Sequence, residues 1–222
     1  METESSIVDM MKSRQFVSIY VMAAFSFFLG TFTVNNYKDF GEVNNLDEDF
    51  LTAIGSIGAF FATIRFIWSG LLDTFSYRKV YGALLCLQIV SGICIVLFSQ
   101  YKWIYAFFYS MILFCEGGHF TLVPNILKQI FGPKATQLYG FAFSYTGFTS
   151  LLLLGLQMTF LSAKTYKYFF MGGALTSGIA LLMLIFWFTD AKYESKPPIK
   201  IMVILDDLIE VDSEEKDVEL KS

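Results

Sequence analysis

The sequence predicts an all-α membrane protein of six transmembrane helices arranged as a 3+3 inverted repeat. Three observations carry that prediction. The 222 residues are 55% hydrophobic and only 16% charged, with a mean hydropathy of +0.55, whereas soluble domains carry about 25% charged residues. Six apolar runs, each near the roughly 20 residues of a helical crossing, are separated by short polar joins. The end of the first run is echoed at the end of the fourth.

Residues 1–15, METESSIVDMMKSRQ, are polar and lack the cationic start and apolar centre of a signal peptide. They form a cytosolic segment ahead of a membrane body over 16–190. Span 1 covers about Phe16–Asn35, span 2 Phe50–Leu72 and span 3 Val80–Phe98. Span 4 covers about Trp103–Val123, span 5 Gln137–Leu161 and span 6 Tyr168–Phe188. All six are too long and too continuously apolar for barrel strands. Twelve crossings would take roughly 240 residues before any loop, so one six-span body is expected. Residues 191–222 form an acidic tail expected to be disordered, with Asp206, Asp207, Glu210, Asp212, Glu214, Glu215, Asp217 and Glu219 against the single Lys216. So acidic a chain is not expected to bind nucleic acid.

Orientation follows from the cations, because lysine- and arginine-rich loops stay in the cytoplasm. With the N-terminus inside, Lys12, Arg14, Arg78, Lys79, Lys128, Lys134, Lys192, Lys196 and Lys200 are cytoplasmic, and Lys38, Lys102, Lys164 and Lys167 face out. Both termini are therefore expected inside. One His and three Cys without CxxC spacing exclude a metal cluster or a disulfide framework. Cys86, Cys94 and Cys115 are expected as buried small hydrophobes.

Span 1 ends Gly30-Thr-Phe-Thr-Val, followed by Lys38 and Phe40-Gly41; span 4 ends Gly118-His-Phe-Thr-Leu, followed by Lys128 and Phe131-Gly132. The two spans run in opposite directions, so the match indicates an inverted repeat of three helices. Two charges lie deep in helices, Arg65 in span 2 and Glu116 in span 4, with His119 one turn on. A charge at the bilayer centre costs about 2.5–3.5 kcal/mol even on the mildest scale. Either Arg65 and Glu116 pair with each other, or Arg65 offers a cationic fork to a solute carboxylate while Glu116 carries a proton or counters Arg65. Gly117 and Gly118 leave room for another backbone or a ligand. Spans 3 and 6 carry no charge and are expected on the outside. Spans 1, 2, 4 and 5 then enclose a polar interior that includes Tyr145, with Asn35 and Asn36 at its outer mouth.

The join between spans 2 and 3, Ser69-Gly-Leu71-Leu-Asp73-Thr74-Phe-Ser76-Tyr77-Arg78-Lys79, resembles the G-x-L-x-D-R-x-G-R-K loop of the major facilitator superfamily. Ser69 and Ser76 stand at its glycines, Thr74 at its first basic residue, and Tyr77 is one residue extra. Arg65 with Trp68, Glu116-Gly-Gly-His119-Phe120, Pro124, Phe131-Gly-Pro-Lys134 and Tyr139-Gly140 are similar to the oxalate–formate antiporter and monocarboxylate carrier branch. The likeness covers about Phe16–Phe188 and implies the C-terminal half of a twelve-helix carrier.

That resemblance implies secondary transport of a small organic solute, most simply a carboxylate anion, by alternating access. Arg65, Glu116, His119, Asn35, Asn36 and Tyr145 would bind the solute, and Asp73, Arg78 and Lys79 would form a conformational latch. The implied partners are membrane lipid, the anion, and a second six-helix half or a homodimeric copy; no cofactor is implied and no enzyme activity is expected. Oxalate-type members place a lysine in the helix matching span 5, which has no basic residue here; this points away from a dicarboxylate and leaves a monocarboxylate, an amino acid or another small organic solute open. The rival reading is a non-transporting membrane protein whose acidic tail binds a cytosolic partner.

Overall fold

Long apolar runs with few interruptions leave the backbone only helical ways to satisfy its hydrogen bonds in lipid, and the computed structural model accordingly contains no strand among the described residues, 6–189 and Ala191. The order is α1 (Ile7–Met11), α2 (Arg14–Val43), α3 (Glu48–Thr63), α4 (Phe66–Thr74) and α5 (Tyr77–Leu97), then α6 (Lys102–Phe131), α7 (Ala135–Ala142), α8 (Ser144–Phe160) and α9 (Tyr166–Phe186). Ile7–Tyr193 form one compact unit; the second, Met1–Ser6 with Glu194–Ser222, lies outside the described residues apart from Ser6. The acidic run 206–219 is therefore also outside them.

Caps set the helix starts. Ser13 accepts from the Phe16 amide at 3.2 Å to begin α2, and Asp47 accepts from the Phe50 amide at 3.3 Å to begin α3. Glu48 and Asp49 add negative charge to the first turn of α3, where the helix dipole favours it. The first and fourth spans are longer than expected from hydropathy: α2 and α6 each run for 30 residues. α6 continues through Pro124, whose missing N–H is tolerated where packing holds the helix.

Five stretches are long and apolar enough to cross a membrane, and the fourth is the 59-residue run Lys102–Phe160. As a single rod it would reach roughly 90 Å, about three times the hydrocarbon thickness. It is not a single rod. Gly132 takes φ 58° and ψ −129°, a backbone region that side-chain-bearing residues avoid, and beyond the 3₁₀ turn Gly132–Lys134 α7 packs back on α6 while α8 packs on α2.

Contacts sort the helix termini into two ends. At one end Arg14 and Arg78 reach the C-terminus of α9, and Phe16 meets Phe131. At the other end Ser99 bonds Asn44 at 2.7 Å, Tyr166 bonds Asp39 at 3.2 Å and Lys102 stands over the Phe50 ring. α2 and α6 touch at the centre. α6 also packs on α3 and α5, α2 packs on α8 and α9, and α5 meets α9.

The core divides into two apolar layers. One, at the Arg14 end, takes Phe27 and residues before it from α2 and Cys115 and residues after it from α6. The other takes Leu29 and later residues from α2, and Leu113 and earlier residues from α6. Gly30 and Glu116 lie at the boundary between the layers.

Two expectations about exposure are corrected. Spans 2 and 5, not spans 3 and 6, are the least covered: 22% of the most apolar stretch of span 2 is buried, against 44% for α5 and 33% for α9, and α8 buries only Tyr145, Thr149 and Leu153. The reason is that α5 turns Tyr81, Gln88 and Ser91 inward against α2 and α6. Cys115 is buried as expected, but Cys86 is exposed and Cys94 half-buried, because both lie off the inward stripe of α5.

Candidate functional site

The span 2 helix is interrupted at its deep cation. α3 ends at Thr63 and α4 begins at Phe66, and between them the ladder tightens to three-residue steps. Ile67 N donates to Ile64 O at 3.1 Å and Trp68 N to Arg65 O at 3.0 Å. Arg65 is the residue of the break, and it is exposed. A second interruption sits at Phe143, between α7 and α8, where Thr146 N likewise donates three residues back, to Phe143 O at 3.1 Å. α4 has nine residues and α7 eight, and both abut the end that carries Arg14. The two flanking spans are thus broken at matching depth.

Gly117 and Gly118 of α6 serve helix packing. A Cβ on Gly117 would lie 2.5 Å from the Ala62 carbonyl oxygen and 3.2 Å from Arg65 Cβ, so the glycine admits the broken backbone of span 2. A Cβ on Gly118 would overlap Leu84 Cδ1 and crowd the Trp68 ring, while the Trp68 indole N–H donates to Phe114 O at 3.1 Å.

Arg65 and Glu116 do not pair. Glu116 points toward α2 instead; it is 8% exposed, and its carboxyl lies over the Cα of Gly30, where an added Cβ would overlap Oε2. Oε2 has no hydrogen-bond partner. Tyr139 on α7 lies within electrostatic reach of Arg65, and Tyr145 at the start of α8 within that of Glu116. Tyr145 is fully buried between Phe27 and Phe143, and its hydroxyl has no partner.

His119 belongs to a buried network joining three helices. Its Nε2 and Gln88 Oε1 are 2.8 Å apart. Gln88 Nε2 donates to Ser26 O at 2.5 Å, and Ser26 and Tyr81 share a hydrogen bond of 2.9 Å. The Tyr81 ring also meets the His119 ring edge-on, with centroids 5.6 Å apart. His119 Nδ1 is unpartnered. Gln88, Ser26 and Tyr81 were not among the expected site residues. The signal for Gln88 was a lone amide in the otherwise apolar stretch VYGALLCLQIVSG.

The remaining candidates are dispersed. Asn36 is buried and donates to Phe32 O of its own helix at 2.9 Å, while Asn35 is exposed. Of the three latch residues, Asp73 and Lys79 are exposed. Arg78 donates to the carbonyls of Leu184, Ile185 and Phe188 at 3.0–3.2 Å, which caps the last turn of α9. Arg14 adds a bond to Trp187 O at 3.1 Å. Cations at a helix C-terminus satisfy its free carbonyls and oppose its dipole.

No group of His, Cys, Asp and Glu suited to hold a metal ion occurs among the described residues. No curated protein gives a significant match to the sequence. The sequence profile of the Major Facilitator Superfamily matches residues 14–210, well over half of the chain. Together with the all-helical, multiply membrane-spanning architecture, this match places the protein: it is an integral multi-pass membrane protein that belongs to the major facilitator superfamily, a family of membrane transporters rather than enzymes.

Proposed function

We propose that this chain carries out secondary transport of a small organic solute, a carboxylate anion, by alternating access, as one six-helix half of a twelve-helix carrier. The observation that carries the reading is the state of Arg65. A guanidinium nine residues from the end of a 27-residue apolar span is left exposed and unpaired with Glu116, at a helix break next to Gly117. Broken helices at mid-depth are where carriers of this kind place solute sites, and a guanidinium presents two parallel donors that match a carboxylate.

The six-span, 3+3 arrangement has its own support. Exchanging spans 1 with 4, 2 with 5 and 3 with 6 maps the principal helix contacts onto one another, α3–α6 onto α2–α8 and α5–α6 onto α2–α9. The two ends defined by contacts agree with the cation count, which puts both termini in the cytoplasm. The missing wall of the site comes from a second half or a second copy. Asp73 and Lys79, exposed beside Arg78, remain available to pair across that interface in one conformation.

The test is uptake of a panel of labelled monocarboxylates into liposomes holding the purified chain, alone and with a candidate partner half. Arg65→Lys keeps the charge and loses the fork, so transport at low solute should fall while saturated transport is less affected; Arg65→Gln should abolish both. Full transport by Arg65→Gln would overturn the role of Arg65.

A further inference from the structure

One face of α2 is left uncovered by the bundle. Val17, Tyr20, Val21, Ala24, Phe25 and Phe28 follow the three- and four-residue spacing of a single helix face. Each of them is exposed or half-buried, whereas Ser18, Ile19, Met22, Ala23, Ser26 and Phe27 between them are buried. From Tyr20 onward this stripe lines a cavity of about 390 Å³ where α2, α8 and α9 meet. A second cavity, of about 280 Å³, shares Tyr20 and extends past Val17 to Met11. At 1.5 Å per residue the stripe from Val17 to Phe28 is roughly 16 Å long, about the depth of one leaflet of the hydrocarbon core. Gly172 deepens the groove from α9, where an added Cβ would meet no atom within 4 Å.

The lining suits hydrocarbon and gives a polar solute little to bond. Its hydroxyls are already engaged: Tyr20 with Ser144 at 3.2 Å, Thr149 with Ala24 O at 3.1 Å and Thr176 with Gly173 O at 3.0 Å. The corresponding gap over α6, between span 2 and α5, is closed, because Trp68 is buried and meets Leu84 above Gly118. The end of the groove is different in character. Arg14 stands one turn before Val17 and is exposed, with Nη2 donating to Trp187 O; a guanidinium has five donors in all. Lys12 beside it is exposed as well, against the single acid Asp9 of α1. A cationic head on an apolar groove of leaflet depth is complementary to an anionic amphiphile.

We propose that the groove between α2, α8 and α9 holds one acyl chain of an anionic phospholipid from the leaflet at the Arg14 end, with the headgroup phosphate at Arg14 and Lys12. The chain lies along the stripe from Val17 to Phe28, and Ala24 and Gly172 leave it the room. A guanidinium matches a phosphate with paired donors, and a zwitterionic lipid with the same chains lacks the net charge that the two cations favour. Bound there, the chain completes the packing of α8, which buries only Tyr145, Thr149 and Leu153 against the protein. The site is separate from Arg65 and does not depend on which solute, if any, the chain carries.

The test is native mass spectrometry of the purified full chain, titrated with palmitoyl-oleoyl phosphatidylglycerol and with phosphatidylcholine carrying the same chains. The wild type should retain one phosphatidylglycerol, more tightly than phosphatidylcholine. Arg14→Gln should weaken phosphatidylglycerol about fivefold, the usual worth of one cation at an anionic lipid surface, and leave phosphatidylcholine unchanged. Gly172→Phe places a ring in the groove and should weaken both lipids. Phe148 lines the groove and is exposed, so Phe148→Ala supplies a second variant should Gly172→Phe not fold, and it too should weaken both. Wild-type retention of phosphatidylglycerol in Phe148→Ala and in folded Gly172→Phe overturns the groove as the site. A wild type that holds the two lipids equally, or neither, overturns the proposal. A lipid-free dimer that Gly172→Phe separates would give the groove to a second copy of the chain and overturn the lipid assignment.

Discussion

Gly30 on α2 and Glu116 on α6 interlock: the carboxyl occupies the space where any other residue at position 30 would place its Cβ. The contact lies where the two apolar layers of the core meet, and α2 and α6 are the central pair of the bundle. Gly30→Ala should therefore cost about 1–3 kcal/mol, the usual range for overpacking. Thermal unfolding of the single and double variants in detergent checks it. Glu116→Ala removes the obstructing group, so Gly30→Ala/Glu116→Ala should be more stable than the sum of the singles allows. Strict additivity would show that the overlap relaxes elsewhere.

The Gln88 amide is fully buried and joins α5 to both α2 and α6. Gln88→Leu keeps the volume but strands His119 Nε2–H, at a cost of about 1–3 kcal/mol. Replacing both partners, as Gln88→Leu/His119→Phe, should recover part of that loss, because no buried donor is then left over. Chemical denaturation of the three variants measures it; a single variant as stable as the wild type would mean His119 finds another acceptor.

Arg78 and Asp73 should behave differently although they share one loop. Arg78→Ala removes three bonds to the carbonyls of α9, with an expected loss of about 0.3–2 kcal/mol. Amide exchange should quicken in the last turn of α9 and hardly change in α5. Asp73→Asn alters an exposed charge and should move stability by at most about 1 kcal/mol. Its effect is expected in cavity accessibility, read by cysteine labelling on both faces; unchanged accessibility with normal transport would remove Asp73 from any latch.

Topology is open to direct labelling in a cysteine-free background. Glu48 and Lys164 are exposed at the end where Asp39 meets Tyr166 and Asn44 meets Ser99. Glu48→Cys and Lys164→Cys should react with an impermeant thiol reagent from outside, and Lys79→Cys only after permeabilisation. The reverse pattern would invert the protein.

By itself the sequence determined the class, the number of apolar runs and the two deep charges. Those follow from transfer free energy and from helix length against bilayer thickness, both local properties of the chain. Gly30 and Gly118 were visible as the repeat, but not what they touch. Only the tertiary structure decided that Glu116 turns to Gly30 and leaves Arg65 alone, that Gly117 receives the Ala62 carbonyl, and that Arg78 caps α9 rather than pairing with Asp73. It also decided that α5, charge-free from Val80 onward, carries an inward polar face through Gln88. Hydropathy averages a helix over all its faces. Which face a single polar side chain occupies, and which backbone comes close enough to meet it, depends on rotation and contact between helices far apart in sequence, and those are set when the bundle packs.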